Sequence, residues 1–179
     1  MSASSVARVR GFLDAFFCLN GYQVYAGEGI TLRFDPVSDE GTVEEAYLRH
    51  VEATLSAMLP GRPSCLQPEE LLRTKYQGLS PVPEWREQVA RTAVEILFWT
   101  FRTVAIGQTE TSDDASGYVS ERCGAELVRL VANVVSDDRP AVYQPAWTNH
   151  GGWFSAVRSI EYLFDGKGGR FLLAFAHDD

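Results

Sequence analysis

The sequence predicts an α+β fold: an antiparallel sheet built from an N-terminal hairpin and C-terminal strands, packed against about five helices, one of them long and central. Three observations lead there. Apolar residues recur at helical spacing through the middle of the chain, they alternate at period two towards both ends, and helices separate the two groups of strand-like segments. No repeat or linker divides residues 1–179, so they read as a single globular domain. A chain of this length can bury roughly 70% of its unfolded surface without a disulfide or a metal to hold it.

From Ser4 or Ser5 to Leu19 the residues Val6, Val9, Leu13, Phe16 and Phe17 fall on one helical face, and Asn20-Gly21 offers a stop. Tyr22 to Ala26 and Ile30 to Phe34 flank Gly27-Glu28-Gly29 as a hairpin. Ile30, Leu32 and Phe34 should face inward, Thr31 and Arg33 outward. Thr42 and Glu45 have the spacing of a capping box for a helix that runs to about Leu59, where Pro60-Gly61 ends it. Pro68 suits the first turn of a shorter helix over Glu69 to Tyr76, and the following GLSPVP reads as turn.

Glu84 to Ile106 is the long helix. Val89, Ala93, Ile96, Leu97, Phe101 and Val104 share a broad apolar arc, while Glu84, Gln88, Arg91, Glu95 and Arg102 occupy the remainder. Arg91, Glu95 and Arg102 at mid-span exclude a bilayer, because each would cost roughly 2.5–3.5 kcal/mol at its centre. After Gly107 the stretch QTETSDDASG reads as a polar loop, and Tyr118 to Val135 as another amphipathic helix. Ala141 to Trp147, Phe154 to Phe164 and Arg170 to His177 read as strands, the last two joined by the glycine-rich Asp165 to Gly169. Ile160, Tyr162 and Phe164 should then meet Phe171, Leu173 and Phe175.

Charge narrows the function. The net charge of −8 disfavours nucleic acid, which needs a basic footprint, and favours a basic partner. Acidic pairs recur at Asp39-Glu40, Glu44-Glu45, Glu69-Glu70, Asp113-Asp114, Asp137-Asp138 and Asp178-Asp179. Cys18, Cys65 and Cys123 are odd in number and widely spaced, which suits neither a disulfide framework nor zinc. With no signal-peptide pattern at the start, a cytoplasmic setting is expected. Fourteen arginines against two lysines point to a GC-rich, bacterial genome.

The familiar chemical motifs fail on spacing. GKGGR lacks the P-loop order and leads into a strand, so it is a hairpin turn. His50, His150 and His177 are far apart, and DPVSDEGTVEE lacks the calcium-loop order; no metal or other cofactor is expected. No nucleophile elbow surrounds Ser155 or Cys65, so no catalytic residue is assigned. TNHGGW places His150 between Trp147 and Trp153, where a tryptophan can anchor a partner. Arg91, Glu95 and Arg102 lie within about 40° of one another on the helix, as an exposed ion pair or as a charge network holding an anionic ligand.

In profile the chain looks like bacterial immunity or inhibitor proteins that neutralise a toxin: small, acidic, α+β, without a catalytic motif. That resemblance implies a protein partner with a basic surface, such as a cognate toxin, and neither nucleic acid nor membrane. The expected contact residues are Asp113, Asp114, Asp137, Asp138, His150, Trp153, Asp178 and Asp179. The alternatives are a small-ligand protein or enzyme with a pocket beside the central helix, and an acidic secretion chaperone or adaptor.

Overall fold

The computed structural model describes residues 3–21, 29–58, 68–105, 113–136, 139–148 and 158–178. Among them are five strands, β1 (Gly29–Val37), β2 (Tyr76–Pro81), β3 (Ala141–Trp147), β4 (Arg158–Gly166) and β5 (Gly169–Asp178). The helices are α1 (Ala3–Gly21), α2 (Val43–Met58), α3 (Pro68–Lys75), α4 (Trp85–Ala105) and α5 (Asp113–Val135). The strands form one sheet in the order β1-β5-β4-β3-β2, every neighbouring pair antiparallel. This is the predicted α+β architecture.

Both faces of the sheet are covered, which explains why β5 is apolar without a break along its middle. Phe171 to Ala176 are all buried. On one face Phe34, Tyr162, Phe164, Phe171, Leu173 and Phe175 pack with Val9 and Leu13 of α1, Val89 and Ala93 of α4, and Leu127 and Val131 of α5. On the other, Leu163, Leu172 and Val37 meet Ala46, Tyr47, Val51 and Leu55 of α2. The expected pairing in the last hairpin holds: Ile160 lies opposite Phe175, Tyr162 opposite Leu173 and Phe164 opposite Phe171.

The α2 start follows the capping logic. The Glu45 carboxylate accepts the Thr42 amide at 2.9 Å and the Thr42 hydroxyl accepts the Glu45 amide at 3.2 Å. In α4, which starts one residue after the exposed Glu84, Val89 and Ala93 are buried and Arg91 and Glu95 exposed, while Trp85 stands edge-on to Phe164 at 5.2 Å. The side chains of Ile96, Leu97, Phe101 and Arg102 lie outside the described residues. Thr92 and Tyr162 share a buried hydrogen bond of 2.8 Å that ties α4 to β4.

Several local expectations are corrected. The α3 helix stops at Lys75, and Tyr76–Pro81 is a strand, not helix end and turn. Gly78, at a φ of 122°, and Pro81 look like turn residues, but an edge strand accepts both: the register shifts between Tyr76 and Gly78, and proline's missing N–H is harmless on an outer edge. The α5 helix begins at Asp113, so Asp113 and Asp114 occupy its first turn and are not part of a loop, a position where carboxylates meet the positive end of the helix dipole. Arg33, expected outward, is half-buried on the α2 face and bridges Asp35 at 2.7 Å. Ile30–Phe34 is in β1, which pairs with β5; the expected hairpin partner, Tyr22 to Ala26, lies outside the described residues. No described helix is long and apolar enough to cross a membrane.

Candidate functional site

Beneath α2 lies the one charged side chain of the described core. Strand alternation turns Glu161 to the same face as Leu163, and α2 covers it to 3% exposure. Tyr47, on the apolar stripe of α2 with Val51 and Leu55, donates its phenol to Glu161 Oε2 at 2.5 Å. Burial, and then the charge of Glu161, push the Tyr47 phenol well above its ordinary 10. Tyr47 is therefore a fixed donor across the usable pH range.

Two further rings close the group. Tyr76 opens β2 opposite Trp147 at the end of β3, and their rings stand edge to face at 5.4 Å. Tyr47 is 5.9 Å from the first and 6.4 Å from the second. Burial first, and then an interaction with the nearby Glu44 carboxylate, hold the Tyr76 phenol far above its usual value. The Tyr76 hydroxyl and Trp147 Nε1 are buried atoms with no well-formed hydrogen bond among the described residues, their nearest polar neighbours being the Glu44 carboxylate and the Tyr47 hydroxyl respectively. Together the three rings form an aromatic group beside a buried carboxylate that Tyr47 alone is shown to reach.

A second polar cluster brackets β1. Asp35 is bridged by Arg33 at 2.7 Å and by Arg10 at 3.4 Å, and Arg10 Nε also donates to the Phe34 carbonyl. His50 of α2 lies in the field of this pair with Nε2 buried and without a hydrogen bond among the described residues. Its pKa falls below 6.5, first through burial; Asp35 opposes the shift and Arg33 adds to it. A histidine depressed in the folded state takes up its proton more readily when unfolded. Its contribution to stability is therefore present above pH 6.5 and declines as pH falls through that value towards the lower folded pKa. The difference in urea-melt stability between the wild-type chain and His50→Gln should change across this window, in favour of the variant at acid pH. A pH-independent difference would show that His50 has the same pKa folded and unfolded.

Of the residues expected from sequence, Arg91 and Glu95 are exposed on α4, within electrostatic reach of the Tyr162 hydroxyl, whose pKa is raised chiefly by burial. Asp113 and Asp114 are placed by backbone alone, and Asp178 ends β5 opposite Gly29. Asp137, Asp138, His150, Trp153 and Asp179 lie outside the described residues. Trp147 ends β3 and Arg158 opens β4, where Arg158 pairs with His177, the neighbour of Asp178. Ser136 lies at the opposite end of β5, where Gly168 donates to the Val135 carbonyl at 2.9 Å. At about 3.3 Å per residue, β5 separates the two ends by roughly 30 Å.

Sequence reasoning missed Tyr47, Tyr76 and Glu161. The available signal was Glu161 itself, a carboxylate inside the strand Ile160-Glu161-Tyr162-Leu163-Phe164, whose neighbours on either side of the sheet are apolar. Among the described residues no group of three or more histidine, cysteine, aspartate or glutamate side chains is arranged to hold a metal. The half-buried Cys123 thiol is pushed up by burial, which disfavours the reactive thiolate. Compared with known protein families, with curated proteins and with solved structures, the chain finds no match.

Proposed function

We propose that the chain is a cytoplasmic protein-binding domain that neutralises a basic protein, in the manner of a bacterial immunity or inhibitor protein. The observation that carries this reading is where the charge goes. Glu161 alone among the described charged side chains is taken into the core, whereas Asp39, Glu40, Glu44, Glu45, Glu84 and Glu87 are exposed in a chain of net charge −8. An excess of carboxylates displayed to solvent attracts a basic surface and speeds its approach. His150, Trp153 and Asp178, or Asp137 and Asp138, then serve as alternative contact sets.

Co-expression with the product of an adjacent toxin-like gene tests the reading directly: growth should be rescued, and the purified pair should associate about tenfold more slowly at high salt than at low salt. Asp137→Lys with Asp138→Lys should lower the on-rate. Asp113 and Asp114 are better changed to asparagine, since lysine in the first turn of α5 would itself cost up to about 1 kcal/mol. Rescue with a salt-independent on-rate would remove electrostatic steering, and failure to bind any basic protein would remove the class.

A further inference from the structure

The Tyr47–Glu161 pair carries a chemistry that binding a basic protein does not use. Trp147 is half-buried, Tyr47 is wholly buried behind it, and Tyr47 donates to Glu161 Oε2 at 2.5 Å. The Trp147 and Tyr47 rings stand 6.4 Å apart, and the nearest polar neighbour of the indole Nε1 is the Tyr47 hydroxyl. A path therefore runs from a ring within reach of solvent, through a buried phenol, to a buried base. We propose that Tyr47 is a redox-active tyrosine, which refills a one-electron vacancy made at Trp147 and passes its phenolic proton to Glu161.

The electrons and the proton balance within the group. A one-electron oxidant of the oxygen-radical class takes an electron from the Trp147 indole and leaves as its anion. Tyr47 returns an electron to the indole, its O–H bond breaks, and the proton moves along the existing hydrogen bond to Glu161 Oε2. The products are intact tryptophan, a neutral tyrosyl radical and a neutral carboxylic acid. Charge favours this direction. A phenol that lost an electron alone would become a cation, which a dry core opposes, and proton transfer needs a base already within hydrogen-bond reach. Here the base is the one charged side chain of the described core, so the transfer removes a buried negative charge and creates none. An exposed tyrosine must release its proton to water, a weak base, and discharges nothing. Tyr76 also lies against Trp147, at 5.4 Å, but its hydroxyl makes no well-formed hydrogen bond to a base.

The test is flash oxidation of the full chain by photogenerated ruthenium(III) tris-bipyridine. Tryptophanyl and tyrosyl radicals are followed by their separate absorption bands, and the surviving radical by electron paramagnetic resonance. In the wild type the tryptophanyl signal should decay into a long-lived tyrosyl signal, more slowly after exchange into heavy water. Tyr47→Phe should lose the long-lived tyrosyl radical and prolong the tryptophanyl one. Glu161→Gln, which keeps a hydrogen-bond acceptor of the same shape but no base, should lose it too, with circular dichroism reporting that each variant is folded. Tyr76→Phe should leave it in place. The heavy-water comparison and the half-buried Trp147→Phe, which should slow tyrosyl formation, test the same path if a core variant does not fold. A long-lived tyrosyl radical undiminished in Tyr47→Phe or Glu161→Gln, formed as fast in Trp147→Phe, or insensitive to heavy water would overturn the assignment. So would a wild-type tryptophanyl radical that decays with no tyrosyl formed.

Discussion

Gly168→Ala is expected to destabilise the protein by about 3 kcal/mol or more, since an added Cβ is more crowded there than at any other described glycine. A Cβ at Gly168 would stand 2.2 Å from the Val134 carbonyl oxygen and 3.0 Å from that of Val135. Both are backbone atoms at the end of α5, so neither can swing aside. The Gly168 amide also satisfies the Val135 carbonyl, one of the last acceptors that a helix leaves open. Alanine must lift the β4–β5 turn off the helix and break that bond. In a domain of this size the melting temperature should fall by about 6–12 °C. Lys167→Ala, at the exposed neighbouring position, should stay within about 0.5 kcal/mol. A Gly168→Ala chain as stable as the wild type would mean that the turn and α5 do not touch.

Tyr47→Phe should cost about 2–3 kcal/mol without opening a cavity, because the ring remains and only the donor to a buried carboxylate is lost. The measurement is a urea melt of four chains: wild type, Tyr47→Phe, Glu161→Leu and the double variant. Once Glu161 is leucine the Tyr47 hydroxyl has lost its acceptor, and removing it should be neutral or favourable. The cycle should therefore return a coupling above about 1 kcal/mol. Equal costs of Tyr47→Phe in both backgrounds would show that the 2.5 Å contact contributes nothing to stability.

These two sites differ in how far the sequence announced them. The turn after Asp165 was legible because glycines between two alternating strands have few other uses, and the facing of Tyr162 with Leu173 followed from period two. The contact of that turn with α5 was not legible, since it joins backbone atoms and leaves no trace in side-chain pattern. β2 was misread because Gly78 and Pro81 are breakers in isolation, and only a place at the sheet edge makes them tolerable. The Tyr47–Glu161 pair was out of reach for another reason: helical periodicity assigns Tyr47 to an apolar stripe but cannot say what stands opposite. Conversely, the capping box of α2 was fully local, and it formed as read. Candidate contact residues chosen for charge alone form no one group in space by that choice, because charge patterning carries no information about distance.

The placement of β5 between β1 and β4 has a consequence for synthesis. Arg170 donates its amide to Asp39 across a separation of 131 residues, and β1 finds its paired neighbour only when β5 exists. At about 5–20 residues per second, β1 leaves the ribosome on the order of 10 s before β5 can join it. Throughout that interval α1 and α2 lack the platform on which their apolar faces close, and Phe34 and Tyr47 are left without their native cover. Long-range closure of this kind slows folding and lengthens exposure to aggregation. The growing chain meets that interval with Asp39 and Glu40 after β1 and Glu44 and Glu45 in the first turn of α2 already made, charges that flank the exposed apolar residues and oppose their aggregation.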